Sequence, residues 1–204
     1  MTGRIAVLVS GSGTNLQALL YDEAIAPHIA VVLSDRPGVA ALDRAASRGI
    51  DTEVLEPSGY PDRAAYTDAV RDDLLARSID TVVLAGFMRV LGASFFVAFP
   101  DRVLNVHPAL LPSFPGAHAV ADALAWGVKV TGVTVHLVDE QVDHGPILLQ
   151  EAIEIRDDDM WETVEPRVHA VEHRLLPAAV RALLEGRLVV EGRKVRIIEG
   201  ERSP

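Results

Sequence analysis

The stretch IAVLVSGSGTN, at residues 5–15, carries the strongest fold signal in the chain. Its apolar half is typical of a strand that is buried on both faces of a parallel sheet. Its second half is a glycine-rich turn, after which Leu16, Leu19 and Leu20 recur at helical spacing. This strand, turn and helix predict an α/β fold in which backbone N–H groups at the start of the helix offer a site for an anion.

The same pattern repeats along the chain. Further strands are predicted at residues 29–33, 52–55 and 81–84, with helices at 39–48 and 63–77 between them. Such alternation favours a mostly parallel sheet that helices cover on both faces. The second half predicts a helix at 119–126, strands at 128–138 and 146–155, a helix at 160–184, and a terminal hairpin of strands at 188–190 and 195–198. We expect residues 1–204 to form one catalytic domain.

Composition narrows the class of protein. The chain of 204 residues is 49% hydrophobic, which is enough for a full core, and it has no cysteine. Disulfides, thiolate metal sites and cysteine nucleophiles are therefore excluded, and a cytoplasmic location is expected. The formal net charge of −10 disfavours nucleic acid and anionic membranes as partners. No apolar run approaches the roughly 20 residues that span a bilayer.

Val103 and Leu104 are expected to end a buried strand, so that the chain leaves the core at Asn105. The segment NVHPALLPSFPGAH that follows, at residues 105–118, places polar side chains beside stiff backbone. Pro108 restricts His107 to extended conformations, and two further prolines stiffen the rest of the segment. Imidazole transfers protons near neutral pH, and the Asn105 carboxamide can stabilise a developing oxyanion. The pair predicts attack on a carbonyl, although a histidine beside a proline is in isolation more often structural.

A second polar segment follows a strand rich in β-branched residues. Asp143 lies in this segment and is the candidate carboxylate that orients His107 and favours its charged form. Thr134 and His136 share one face of the preceding strand. We expect the side chains on that face to support the active site. An equally good alternative is that Thr134 and His136 are ordinary hydrogen-bonded residues of the sheet with no role in the site.

The residues named so far occur together with four short motifs, which are His-Pro, Leu-Leu-Pro, Pro-Gly and the Asp-x-Gly-Pro run at 143–146. This combination resembles the formyltransferase family that uses 10-formyltetrahydrofolate. Within it, the chain is most similar to members that formylate 5-phosphoribosylglycinamide in purine synthesis. The resemblance runs from the first strand to the last helix. It implies a single-domain Rossmann-like formyltransferase fold with an antiparallel C-terminal portion, catalysis by Asn105, His107 and Asp143, and no need for a metal.

The resemblance also implies binding residues. It assigns His118 a supporting role and leaves His144 unmatched, since the family usually has a small residue there. The substrate phosphate and ribose would contact Ser12, Gly13, Thr14, Asn15 and Glu172, and the folate would contact Arg63, Met88, Arg89, Val90, Leu91 and Asn105.

The cation that faces the substrate phosphate is left open. The family often has a lysine where this chain has His169. His169 or Arg167 can take its place, or the backbone amides of the glycine-rich turn can suffice.

Other interpretations remain open at this point. The turn lacks the third glycine of a dinucleotide site and the lysine of a P-loop, so it is either a phosphate site or a plain tight turn. A non-catalytic phosphate- or nucleotide-binding module would need only that turn. Formyltetrahydrofolate hydrolase and methionyl-tRNA formyltransferase share the core, but each carries an extra domain for which a chain of this length is not expected to have room. The expected partners are small molecules, and a homodimer is compatible with the sequence.

Overall fold

The computed structural model describes residues 3–198, and within them nine strands form one sheet. The strands are β1 Ile5–Val9, β2 Ile29–Ser34, β3 Asp51–Val54, β4 Thr81–Leu84, β5 Val103–His107, β6 Val130–Leu137, β7 Ile147–Glu154, β8 Leu188–Glu191 and β9 Lys194–Ile197. The α-helices are α1 Thr14–Leu20, α2 Ala40–Ala46, α3 Arg63–Ala76, α4 Ala93–Ala98, α5 Ala119–Trp126 and α6 Trp161–Leu184. Short 3₁₀ turns lie at Ala26–His28 and Pro57–Gly59.

The sheet changes direction at β5. Its strand order is β3-β2-β1-β4-β5-β6-β7-β9-β8. The first five strands pair in parallel, whereas β6 is antiparallel to both β5 and β7. This arrangement confirms the predicted α/β fold with a mostly parallel sheet and an antiparallel C-terminal portion.

The core has two layers because alternate residues of each inner strand face opposite sides of the sheet. Ile5, Val7 and Val9 pack in the layer that also holds the buried residues of α1, α2 and α6. Ala6 and Leu8 pack in the other layer, with the buried side of α3 and α4. All five residues of β1 are fully buried, as the continuous apolar run predicts.

Two local expectations were incomplete. The polar segment was expected to leave the sheet at Asn105, but β5 continues to His107 because Asn105 pairs with His136 and His107 pairs with Thr134 across the antiparallel ladder. Helix α4 was not predicted, since its six residues are too few to show a helical period. No helix within residues 3–198 combines the length and apolar character needed to cross a bilayer.

Gly13 makes the turn after β1 possible. Its φ of 72° is left-handed, and a Cβ atom there would lie 2.7 Å from Ala41 Cβ. A side chain would therefore strain the backbone and push α2 away from the turn. The glycine lets the start of α1 pack directly against the start of α2.

Gly132 has a comparable role within β6, and its replacement is a test of the sheet packing. A Cβ atom there would lie 2.2 Å from Glu151 O on β7 and 2.6 Å from Leu110 Cδ2. We expect Gly132→Ala to lower the free energy of unfolding by about 2 kcal/mol, because overpacking forces the two strands and the 105–118 segment apart. Urea denaturation measures the change.

Gly59→Ala is the matched control, because a Cβ atom there would have no atom within 4 Å beyond its own chain neighbours. Its effect should stay within about 0.5 kcal/mol. Equal stability of the two variants would contradict the tight packing of β6 against β7.

Candidate active site

The antiparallel pairing of β5 with β6 places four polar side chains in adjacent positions. Asn105 lies opposite His136, and His107 lies opposite Thr134. His107, Thr134 and His136 are buried, and Asn105 is half-buried. Polar residues two apart on each strand therefore project from one face of the sheet, near the point where β4 and β5 end.

The Asp143 carboxylate lies among these side chains. Asp143 Oδ2 is 3.3 Å from His107 Nδ1 and accepts a hydrogen bond from the Gly116 N–H at 2.7 Å. Asp143 Oδ1 accepts a longer bond of 3.4 Å from Asn105 Nδ2 and lies 3.7 Å from His136 Nε2. The segments at 105–118 and 138–146, far apart in sequence, thus meet at one carboxylate.

The environment of Asp143 keeps it ionised. Burial opposes the charge, but the contact with His136, the Gly116 N–H and the charge of His107 outweigh it and hold the pKa of Asp143 below its ordinary value. Its backbone φ of 50° is uncommon for a residue other than glycine. The side chain is therefore aimed into the protein at some conformational cost.

The second ring nitrogen of His107 has a different partner. His107 Nε2 lies 2.8 Å from the Phe114 carbonyl oxygen. A carbonyl and a carboxylate both accept only, so a ring with a hydrogen on each nitrogen satisfies both neighbours.

Thr134 supports the 105–118 segment directly. Its hydroxyl donates to Ala109 O at 2.7 Å and accepts from Leu111 N at 3.1 Å. Gln150 on β7 adds hydrogen bonds to Thr134 Oγ1 and to Leu111 O, both at 2.9 Å. Sequence reasoning missed Gln150, since only the strand register places it beside Thr134.

A cavity of about 250 Å³ opens beside Asn105, His107 and Asp143. The segment at 86–91 forms one wall and the segment at 138–143 forms another. Met88 and Val90 expose about half of their side chains, while Leu91 is buried in the core. The Met88 N–H donates to Ser10 Oγ at 2.9 Å, which ties this wall to the end of β1.

A second cavity, of about 420 Å³, adjoins the same wall. Its lining includes Arg63 and Tyr66, and it shares Met88, Arg89 and Val90 with the first cavity. The Arg89 guanidinium donates to Asp35 Oδ2 at 2.6 Å, so part of its charge is neutralised by a fully buried carboxylate. The predicted folate residues therefore line one continuous cleft, with Arg63 at the end remote from Asp143.

The glycine-rich turn lies near a different set of polar residues. Asn15 Nδ2 donates to Glu172 Oε2 at 3.0 Å across the α1 and α6 interface, and Asn15 Oδ1 is buried without a partner among the described residues. Burial raises the pKa of Glu172, against the opposing effects of Asn15 and His169. Ser12 contributes its carbonyl oxygen to Arg44 at 2.9 Å. Asn15 and Glu172, which the resemblance assigns to the same substrate, are thus in direct contact.

The two candidate cations on α6 differ in their surroundings. Arg167 forms an ion pair with Asp159 and donates to Glu154 O at 2.7 Å, so its charge is already engaged. His169 is half-buried, and its ring stacks on His173 with centroids 5.8 Å apart. Burial and the neighbouring His169 lower the pKa of His173.

The remaining histidines lie outside the carboxylate cluster. His118 is exposed at the N-cap of α5, and its side chain makes no capping hydrogen bond. His144 follows Asp143 but turns outwards, where its Nδ1 lies 2.7 Å from Asp139 Oδ2. Among the described residues, no group of three or more His, Asp or Glu side chains is arranged to hold a metal ion.

The lowered pKa of Asp143 predicts a pH-dependent contribution to stability. Because the folded-state pKa lies below the unfolded value of about 3.9, the contribution is fully present above that value and is lost as the pH falls through the folded pKa. We expect Asp143→Asn to be less stable than wild type by about 1 kcal/mol at pH 7. The difference should shrink below about pH 4 in urea denaturation.

Asp158→Asn serves as the control, since Asp158 is exposed. It should stay within about 0.5 kcal/mol of wild type. A destabilisation by Asp143→Asn that does not change with pH would show that the loss comes from packing and not from the ionised carboxylate.

Comparisons with known proteins agree with this geometry. Residues 3–180 match the family model described as formyl transferase. Phosphoribosylglycinamide formyltransferase from Mycobacterium tuberculosis is 46% identical over 203 residues, which cover 95% of this chain and 94% of that protein. The crystal structure of glycinamide ribonucleotide transformylase 1 from Symbiobacterium toebii superposes with a TM-score of 0.93 at 47% identity, and the match covers 97% of this chain and 95% of the other.

A longer relative shares only one region with this chain. Trifunctional purine biosynthetic protein adenosine-3 from Bos taurus is 45% identical over 186 residues, which cover 90% of this chain but 18% of that protein. The chain therefore spans less than a fifth of the trifunctional relative and nearly all of the bacterial ones. By its sequence match and its fold, the chain belongs to the formyl transferase family, among the phosphoribosylglycinamide formyltransferases.

Proposed function

We propose that this chain transfers the formyl group of 10-formyltetrahydrofolate to the amine of 5-phosphoribosylglycinamide. The products are formylglycinamide ribonucleotide and tetrahydrofolate, in purine (IMP) biosynthesis. The observation that carries the proposal is the convergence of Asn105, His107 and Asp143 at the wall of the 250 Å³ cavity. An amide, an imidazole and a carboxylate at one point suit attack on a carbonyl carbon.

The reaction needs stabilisation of one developing negative charge. The substrate amine attacks the formyl carbon, a C–N bond forms, and the carbonyl electrons move onto oxygen. The tetrahedral intermediate then collapses as the bond to N10 of the folate breaks. One proton leaves the attacking amine and one reaches the folate nitrogen, through His107 or a water molecule.

Each polar side chain has a place in this scheme. His107 in its charged form stabilises the oxyanion, and the ionised Asp143 keeps that charge favourable and the ring oriented. Asn105 Nδ2 lies 3.1 Å from His136 Nε2 and 3.4 Å from Asp143 Oδ1. The contact with Asp143 is the longer and therefore the weaker of the two. The N–H that makes this contact is the one that Asn105 can redirect towards a carbonyl oxygen.

The cleft fits a flat, mostly apolar co-substrate with a charged tail. Phe87, Met88 and Val90 offer apolar surface, and backbone of the same segment faces the cavity. Arg63 and Arg89 lie in the adjoining cavity, where they suit the carboxylates at the other end of a folate. On β6, His136 contacts Asn105 and Thr134 donates a hydrogen bond to Ala109 O, so both residues support the site.

The second substrate is assigned to the α1 and α6 side of the site. Thr14 and Asn15 begin α1, Gly13 is its N-cap and Ser12 precedes it. The backbone N–H groups there suit a phosphate. Glu172 is next to Asn15 and suits ribose hydroxyl groups. Of the two side-chain cations considered, His169 is the better phosphate partner because Arg167 is engaged with Asp159.

Replacing either oxyanion-stabilising residue should abolish most turnover. Asn105→Ala and His107→Ala are each expected to lower kcat by about 10²–10³-fold, since the first removes an N–H donor and the second removes a positive charge next to the developing oxyanion. Steady-state rates with both substrates measure the loss, and circular dichroism checks the fold. His28→Ala is the matched control, because the His28 ring contacts the Gly3 carbonyl and not the candidate active site. Near-normal rates in both active-site variants would contradict the assignment.

Replacing the two candidate phosphate cations should change the KM for the ribonucleotide to different extents. His169→Ala is expected to raise the KM for the ribonucleotide about ten-fold and to leave the KM for the folate unchanged, because it removes a partner of one substrate only. Arg167→Ala should change the ribonucleotide KM by less than about two-fold. The opposite order would assign the phosphate to Arg167.

One assay separates this proposal from its rivals. Wild-type protein incubated with both substrates should form formylated ribonucleotide. Folate consumption in the absence of the ribonucleotide would favour a formyltetrahydrofolate hydrolase. Binding of the ribonucleotide without transfer would favour a phosphate- or nucleotide-binding module.

A further inference from the structure

The turn of the β8–β9 hairpin reaches the segment that carries Asp143. Arg193, in this turn, donates through Nη2 to the His144 carbonyl oxygen at 2.7 Å. Its Nη1 lies 3.2 Å from His144 Nε2. A guanidinium only donates, so His144 Nε2 accepts and the ring hydrogen lies on Nδ1.

The contact continues into the polar segment itself. His144 Nδ1 lies 2.7 Å from Asp139 Oδ2, and Asp139 Oδ1 accepts the Gln141 N–H at 2.9 Å. The Arg193 guanidinium, which belongs to a separate hairpin, thus contacts the outer side of the 138–146 segment and stabilises it. Both of its hydrogen-bond partners among the described residues belong to His144, so Arg193 differs from the arginines that pair with surface carboxylates.

The inner side of the same segment bears the site. Asp143 holds a positive φ and directs its carboxylate towards His107, while the carbonyl of the next residue points outwards to Arg193. The base of the segment is fixed separately, since Leu137 N–H bonds to Pro146 O at 2.9 Å. The exposed tip has less support, and a strained conformation persists only where its surroundings hold it.

We propose that Arg193 is a positioning residue for Asp143: by holding the His144 peptide and ring, it keeps the Asp143 carboxylate at His107 and Gly116. This inference rests on the proposed function, in which Asp143 orients and charges His107. Arg193 itself faces His144 on the outer side of the segment. A small displacement of a supporting residue of this kind costs rate more than substrate binding.

The test compares Arg193→Met with a matched variant on the same hairpin. Arg196 pairs with Glu191 at 2.9 Å on the exposed side, so Arg196→Met removes an equivalent arginine without touching the 138–146 segment. We expect Arg193→Met to lower kcat about ten-fold and to change the KM for the ribonucleotide by less than about two-fold. Arg196→Met should match wild type in both constants.

Two further variants separate positioning from general stability. Arg193→Lys retains one donor for the His144 carbonyl and should restore most of kcat. His144→Ala keeps the carbonyl and loses only the ring contacts, so its loss of kcat should be smaller than that of Arg193→Met. Thermal unfolding of all four variants shows whether the fold is retained.

Hydrogen exchange provides a readout that does not depend on activity. The Gly116 N–H is bonded to Asp143 Oδ2, so its exchange reports the position of the carboxylate. Arg193→Met should speed exchange at Gly116, and Arg196→Met should not. Unchanged exchange at Gly116 in Arg193→Met, or equal kinetics in the two variants, would overturn the proposal. A wild-type protein that transfers no formyl group would overturn the proposed function instead. In that case the exchange result alone would decide whether Arg193 positions Asp143.

Discussion

The candidate site depends on the interactions that keep the Asp143 carboxylate ionised and in place. Asp143 is largely shielded from solvent, with 11% of its side chain exposed, so it needs partners that favour its charge. Gly116, His107 and His136 provide them from two other parts of the chain. Without that convergence the 105–118 and 138–146 segments would be two unrelated surface features.

The reversal of strand direction at β5 makes the convergence possible. On one side β5 pairs in parallel with β4, which brings the 86–91 segment to the carboxyl end of the sheet. On the other side it pairs antiparallel with β6, so that His136 lies beside Asn105. The 138–146 segment begins beside Val103, at the start of β5, and folds back until Asp143 reaches His107.

Two different interfaces end at the same edge, and the proposed reaction assigns one substrate to each. The cleft beside Met88 and Arg89 is bounded by β4 and its following segment, while Asn15 and Glu172 meet where α1 packs against α6. The buried bond between Asn15 and Glu172 joins residues 157 positions apart. In the proposed reaction, the folate and the ribonucleotide approach Asp143 from these two sides.

Local pattern alone determined most of the fold and the residue types of the site. The apolar run at 5–9, the glycine-rich turn and the alternation of strands and helices predicted the parallel half of the sheet, because burial and periodicity are properties of short windows. Side-chain chemistry and resemblance selected Asn105, His107 and Asp143. Tertiary structure decided which of these groups touch, because a contact between distant segments depends on strand register and backbone direction. Strand pairing placed Gln150 beside Thr134 and Arg193 beside His144, two contacts that no short stretch of the sequence encodes.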